Sequence, residues 1–424
     1  MSVIDRVVDT RPLRSSPAFR RLWIGTTASA FGGQLTVVAV LYQTWELTKS
    51  PVWVGAIGIF HAVPLIVAGL LGGALADAVD RRLLVIISTI GAMVVALLLA
   101  GQAIAAPSVA VILVLVAACA SCTSIGAPAR KTFVATTLDR DQIAAGIALG
   151  HLGFQGALLA GPALAGVVIA GWGLPVCYLL DAATFGIAMY GIARLPRGRA
   201  GVSSRLSLAE IGDGWRYIAR RPALNGSFLA DLAATVLAMP VALFPMINDE
   251  RFGGRPETLG IFLSAIAVGG IVAGLLSGLI TRARRPGTVQ LAAAAIWGGT
   301  LAGFGLAGPL WLALGFLALA GAADTISVIS RGAVVQLDTA DRYRGRVSSV
   351  EQIVGAGGSE LGNVRGGLLA CLTSASVALA AGGLLCVAAI AVIAATNPTL
   401  RRSTNPTLRR FTPVEPAAAG HHHP

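Results

Sequence analysis

The stretch GGALADAVDRRLLVI, Gly72–Ile86, sets four charges, Asp77, Asp80, Arg81 and Arg82, between two long apolar runs. Roughly twenty nearly uncharged residues lie on either side of it. An apolar run of that length is enough to cross a bilayer as a helix. The charged break therefore reads as a loop between two membrane-spanning helices, and the rest of the chain repeats the pattern.

Composition agrees. The 424 residues are 55% hydrophobic and only 12% charged, with a mean hydropathy of +0.77. Soluble domains carry about 25% charged residues, so an ordinary soluble enzyme is excluded. The net charge of +12 does not indicate nucleic acid, because the charges sit in loops between apolar runs. Cys119 and Cys122 form a CxxC inside such a run, with no second pair to complete a metal site. They read as packing residues, and no metal or cofactor is expected.

Twelve helices are expected, near 22–44, 52–76, 83–105, 108–129, 143–170, 174–194, 224–248, 258–281, 288–307, 309–331, 347–370 and 374–395. Lys and Arg collect on the cytoplasmic side of membrane proteins. Here Arg81 and Arg82, Arg130 and Lys131, Arg282 to Arg285, and Arg342 to Arg346 fall in alternate loops. The opposite loops hold only Lys49, Arg251 and Arg255. That alternation places both termini in the cytoplasm and the chain in the cytoplasmic membrane. The longest inner loop divides the chain into an N-terminal tail (1–21), a six-helix bundle (22–194), a linker (195–222), a second bundle (223–395) and a disordered tail (396–424). Within the linker, Leu206, Leu208, Ile211, Trp215 and Ile218 recur at helical spacing, as in an amphipathic surface helix.

The halves echo each other. PARKTFVATTLDRDQ leaves the fourth span and SRGAVVQLDTADRYRGR leaves the tenth, about two hundred residues later. Each has an Arg at the helix exit, then an apolar stretch, then an Asp/Arg turn. Internal duplication marks transporters whose halves move around a central site.

Gly73-x-x-x-Asp77-x-x-Asp80-Arg81-Arg82 resembles the loop between helices 2 and 3 of the major facilitator superfamily, with Asp80 where that superfamily prefers Gly. PARKTF, TWELTKSPVWVG and GSELGNVRGGLLA are similar to its enterobactin-exporter and drug-efflux branch. The resemblance implies an all-α integral membrane fold of two pseudo-symmetric six-helix bundles. It also implies an exporter of siderophore-like or drug-like molecules, driven by proton antiport; a monomer is expected. A cytoplasmic gate would comprise Gly73, Asp77, Asp80, Arg81, Arg82, Arg130, Arg331 and Glu351. Gly161-Pro162-x-x-x-Gly166 resembles an antiporter motif and equally fits plain helix packing.

A charge at mid-bilayer costs about 2.5–3.5 kcal/mol on insertion scales, so each embedded one needs a reason. In low dielectric a carboxyl group can hold a proton in one conformation and release it in another. Asp231 and Asp324 are the leading candidates for coupling or substrate binding, with a structural pair, Asp324 with Arg331 or Asp231 with an Arg elsewhere, as the alternative. Glu360 and Arg365 either join them or neutralise each other. Asp181 reads as solvated near the outer end. His61, Gln34 and Gln155 either line a cavity or bond between helices. No phosphate-binding Gly-x-x-x-x-Gly-Lys-Ser/Thr occurs. The partners expected are a small-molecule substrate, protons and lipid. Import of a nutrient and a non-transporting sensor or scaffold are the alternatives.

Overall fold

The computed structural model describes residues 9–193 and 208–403, with the side chains of 70–78, 131 and 208–211 outside that description. Gly73 and Asp77 of the expected gate are thus in helix by backbone, while their side chains lie outside the described residues. The tail from 404, with its second TNPTLRR copy and His421 to His423, also lies outside them.

Among the described residues twelve long helices follow one another: α1 Pro17–Thr48, α2 Pro51–Ala78, α3 Arg81–Ala105, α4 Val109–Thr137, α5 Ile143–Trp172, α6 Leu174–Ala193, α7 Pro222–Phe252, α8 Pro256–Leu275, α9 Pro286–Leu306, α10 Leu310–Asp338, α11 Arg344–Leu372 and α12 Ala375–Thr396. Several begin with proline in the first turn, where the missing N–H has no helical partner to lose. Helix α1 is also capped, the Ser16 hydroxyl accepting from Phe19 N at 3.1 Å. Gly173, at φ 86°, makes the tight turn from α5 into α6.

Eleven of these helices are long and apolar enough to cross a membrane. Helix α11 is long enough but carries Glu351, Glu360, Asn363 and Arg365. Each of these finds a polar partner inside the protein, so α11 satisfies its polar groups among other helices. Large apolar side chains such as Leu98, Val114, Leu275 and Val392 are exposed, as suits contact with lipid.

The sequence echo between the halves becomes geometry. Helix α1 packs on α5 and α6, α2 on α4, and α3 on α4 and α6. Adding six to each label gives α7 on α11 and α12, α8 on α10, and α9 on α10 and α12, and every one of those pairings occurs. The fold is two pseudo-symmetric six-helix bundles.

The bundles meet along α2 with α11 and α5 with α8. At the α5–α8 seam a Cβ on Gly166 would stand 2.6 Å from the Pro256 carbonyl, and Gly260 in turn abuts the Pro162 carbonyl. Two small residues thus let the backbones touch. Ala163 N donates to Ser264 Oγ at 3.2 Å beside them. Asp249 of α7 accepts from Trp45 Nε1 of α1 at 3.2 Å and pairs at 3.3 Å with Nζ of Lys49, the residue that follows α1. Lys49, Asp249, Gly166 and Pro256 all belong to the end remote from the Arg-rich loops.

Several short helices sit at the Arg-rich end. Leu208–Ala219 packs on α11, where Tyr217 stacks on Tyr343 with ring centroids 4.3 Å apart. Pro398–Arg402 falls inside the tail expected to be disordered from 396, which is a correction. Asn397 caps it by accepting from Leu400 N at 3.0 Å, and Leu400 is fully buried against Gly226 and Gly287.

Candidate functional site

Two adjoining cavities lie between the bundles. The smaller, about 280 Å³, is lined by Gln34, Pro162, Asp231, Met239, Trp297 and Asp324 among others. The larger, about 500 Å³, draws Asp181, Phe154, His61 and Glu360 into its wall. Gln34 and Val241 line both. Of the polar residues left open by sequence, Gln34 and His61 therefore face a cavity.

Arg331 of α10 organises the acidic groups of the second half. Its guanidinium pairs with Asp231 of α7, and its Nε donates to Glu351 of α11 at 3.1 Å. Arg331 is 8% exposed, so these are strong, desolvated contacts. A residue expected to gate and a residue expected to couple thus belong to one network. Asp231 Oδ2 is buried and has no hydrogen-bond partner among the described residues.

Asp324 stands apart. It lines the smaller cavity, is exposed there, and makes no ion pair or hydrogen bond among the described residues. The pairing with Arg331 allowed by sequence does not form. Seven residues of helix separate the two by about 10 Å, and Arg331 turns to α7 and α11.

Glu360 and Arg365 do not neutralise each other. Five residues place side chains about 140° apart around a helix. Glu360 points to α2, 3.4 Å from His61 Nδ1, and accepts from Asn363 Nδ2 at 2.9 Å. Arg365 points the other way and donates to the Leu237 carbonyl. That carbonyl lies at the break in α7, where Met239 turns extended before Pro240 and the next helical donor is lost. Asn363 Oδ1 accepts from Ala242 N at 3.1 Å just past the break. One face of α11 therefore braces α7 while the other reaches α2.

Asp181 corrects the reading of a solvated outer residue. It is 2% exposed, and its carboxylate accepts from Thr36 Oγ1 at 2.6 Å and Thr184 Oγ1 at 3.4 Å. Gly32 makes this possible, since a side chain there would collide with the Asp181 carboxylate. The sequence signal was present: a small residue on α1 and hydroxyls at Thr36 and Thr184. Nothing in one sequence showed that they face each other.

At the Arg-rich end, Asp80 Oδ1 accepts from Arg82 N at 2.8 Å and Leu83 N at 3.2 Å. It caps α3, a task Gly cannot perform with a side chain. Arg82 donates to the Ala193 carbonyl at the end of α6, and Arg130 of α4 lies by Gly126 and Ser88. Arg81 has its Nε buried with no hydrogen-bond partner among the described residues. Gly161 and Gly166 pack on Gln34 and Glu257 respectively.

Residues 9–416 match the sequence profile of the family described as "Transmembrane secretion effector". The chain is 28% identical over 376 residues to the multidrug efflux pump Tap of Mycolicibacterium fortuitum, covering 84% of this chain and 90% of that protein. It is 26% identical over 389 residues to the enterobactin exporter EntS of Shigella boydii, covering 90% and 92%. Among solved structures, a POT family transporter in complex with 5-aminolevulinic acid superposes with a TM-score of 0.74 at 10% identity, covering 91% and 97%. A bacterial homologue of the iron transporter ferroportin in an inward-facing state gives 0.68 at 16%, covering 91% and 99%.

Proposed function

Because the chain belongs to the transmembrane secretion effector family of the major facilitator superfamily, a transporter rather than an enzyme, we propose that it exports small amphipathic molecules by proton antiport and alternating access. The substrate binds in the cavities between the bundles, and the two halves, 22–194 and 223–395, rock around it with 195–222 as their linker. Both termini face the cytoplasm of the source cell, and the transporter works as a monomer.

One observation carries this reading. The cavities hold an unpaired carboxylate, Asp324, and the contacts that close the halves on each other are gathered at the Lys49–Asp249 end. An exporter loading from the cytoplasm needs that arrangement: closed outside, a protonatable group within reach of the site. Asp324 takes the proton, and Asp231, held by Arg331, answers it electrostatically. The names of Tap and EntS, a drug pump and a siderophore exporter, favour export over import.

The gate is proposed to use Gly73, Asp77, Asp80, Arg81, Arg82 and Arg130 from the first half against Arg331 and Glu351 from the second. In this conformation Arg331 pairs with both Asp231 and Glu351, and these partners exchange when the Arg-rich end closes. A proton moving inward gains about 2.3 kcal/mol per 100 mV, enough to drive export without ATP.

The test uses everted membrane vesicles energised to an acidic interior, with dyes, antibiotics and extracts of the source cells. Wild-type protein should concentrate at least one compound inside, collapse of the gradient should abolish this, and Asp324→Asn should match empty vesicles. Gradient-driven accumulation by intact cells instead would establish import. Unchanged flux in Asp324→Asn would remove that residue from coupling.

A further inference from the structure

We infer that the larger cavity binds a cationic amphipath, a molecule carrying a protonated amine, amidinium or onium centre on an apolar body, with Asp181 and Glu360 as its counter-charges. The inference rests on the export reading for taking this cavity as the substrate site.

Charge is distributed against the composition. The chain holds 32 Lys and Arg against 20 Asp and Glu, yet among the described residues no Lys or Arg lines either cavity. Four carboxylates do: Asp181, Glu360, Asp231 and Asp324. Behind them the guanidinium of Arg331 is already shared by Asp231 and Glu351. His61 faces Glu360, while Asp181 meets only hydroxyls. A cavity of low dielectric focuses such a field on whatever enters it. A catecholate, carboxylate or phosphate would lose its water and gain repulsion.

The wall supplies what a cation needs beyond charge. Phe154 is 47% exposed although it lies on the cavity wall, and Phe185 stands on the same wall. An aromatic face attracts a desolvated cation. Asp181 accepts bonds on both oxygens, which fixes the carboxylate plane before a ligand arrives. Val37, Leu41 and Leu99 complete an apolar lining, and about 500 Å³ suits a drug-sized body.

The probes are tetraphenylphosphonium and tetraphenylborate, which share one four-phenyl shape and carry opposite charge. Each is titrated into purified full-length protein in lipid nanodiscs without a gradient, with empty nanodiscs subtracted. We expect saturable binding of tetraphenylphosphonium, at least about tenfold tighter than tetraphenylborate. Asp181→Asn should weaken it by about tenfold or more. If that variant fails to fold, as judged by thermal unfolding, Glu360→Gln carries the same expectation. Equal affinity for the two ions, preference for the borate, or no saturable phosphonium binding overturns the inference. Phosphonium that binds but is not exported by everted vesicles leaves the cation site standing and counts against the export reading. Export of an anion by a protein that ignores phosphonium does the reverse.

Discussion

His61 of α2 lies 3.4 Å from the Glu360 carboxylate of α11, across the boundary between the two bundles. The same carboxylate accepts from Asn363, whose own oxygen accepts from Ala242 N at the break in α7. A contact between halves is thereby tied to the most irregular backbone in the second half. His61 is 46% exposed at its side chain and Glu360 22%, so the pair is partly solvated and its worth is modest, about 0.2–1 kcal/mol. Its loss should loosen the closed end. In His61→Ala, cysteines placed along Val37 to Leu41 should react faster than in the wild-type background with a reagent applied from the side opposite the Arg-rich loops. Unchanged rates would mean the pair does not help to hold the halves together.

Asp231 and Asp324 should separate by stability. Asp324 has no ion pair or hydrogen bond to lose among the described residues, so Asp324→Asn should leave thermal unfolding in detergent within about 0.5 kcal/mol of wild type. Asp231→Asn removes one of two partners of a buried Arg331. Glu351 remains, so the cost should be about 1–3 kcal/mol, below that of stranding a buried charge outright. Equal destabilisation would show that Asp324 is structural.

Arg365 should behave as a brace. Its removal leaves the Leu237 carbonyl without its donor at the α7 break. Arg365→Met should destabilise by about 1–3 kcal/mol and lower transport in proportion to the folded protein. The dependence of the remaining transport on the proton gradient should not change. A fully folded Arg365→Met protein that has lost only its proton dependence would place Arg365 in coupling after all.

Asp80 gives a small and specific test. As the cap of α3, Asp80→Ala should cost about 1 kcal/mol, and Asp80→Gly only a few tenths. A larger effect of Asp80→Gly on transport than on thermal unfolding would assign the side chain to the gate.

At the α5–α8 seam, Gly166→Val would drive a branched side chain into the Pro256–Glu257 backbone. Forced overpacking costs about 1–3 kcal/mol, and here the halves can escape it by parting. The expected result is lower thermal stability together with greater labelling at the closed end. Loss of stability with unaltered labelling would mean the bundle yields before the seam does.

Much of the fold was legible in the sequence. Apolar runs of spanning length, charged breaks such as Asp77 to Arg82, and Arg in alternate loops give the helices and their order without any knowledge of packing, because a bilayer imposes length and satisfied backbone on each span separately. The echo between PARKTF and SRGAVV foretold two like halves. The sequence also marked out Asp231, Asp324, Glu360, Arg365, Arg331 and Glu351, since an embedded charge is conspicuous wherever it stands.

Partnership was decided only in three dimensions. That Arg331 holds Asp231 and Glu351 and leaves Asp324 alone depends on the rotation of α7, α10 and α11 about their own axes. In Gly- and Ala-rich spans nearly every face is apolar, so periodicity does not fix that rotation. Asp181 departs from its sequence reading for the same reason: its burial comes from Gly32 and Thr36 on α1, Thr36 being 145 residues away in the chain. The sequence by itself determined which charges enter the membrane. The tertiary structure decided which of them are neutralised and which face the cavity, because helix packing, a balance of small contacts over many residues, sets the few ångströms on which an ion pair depends.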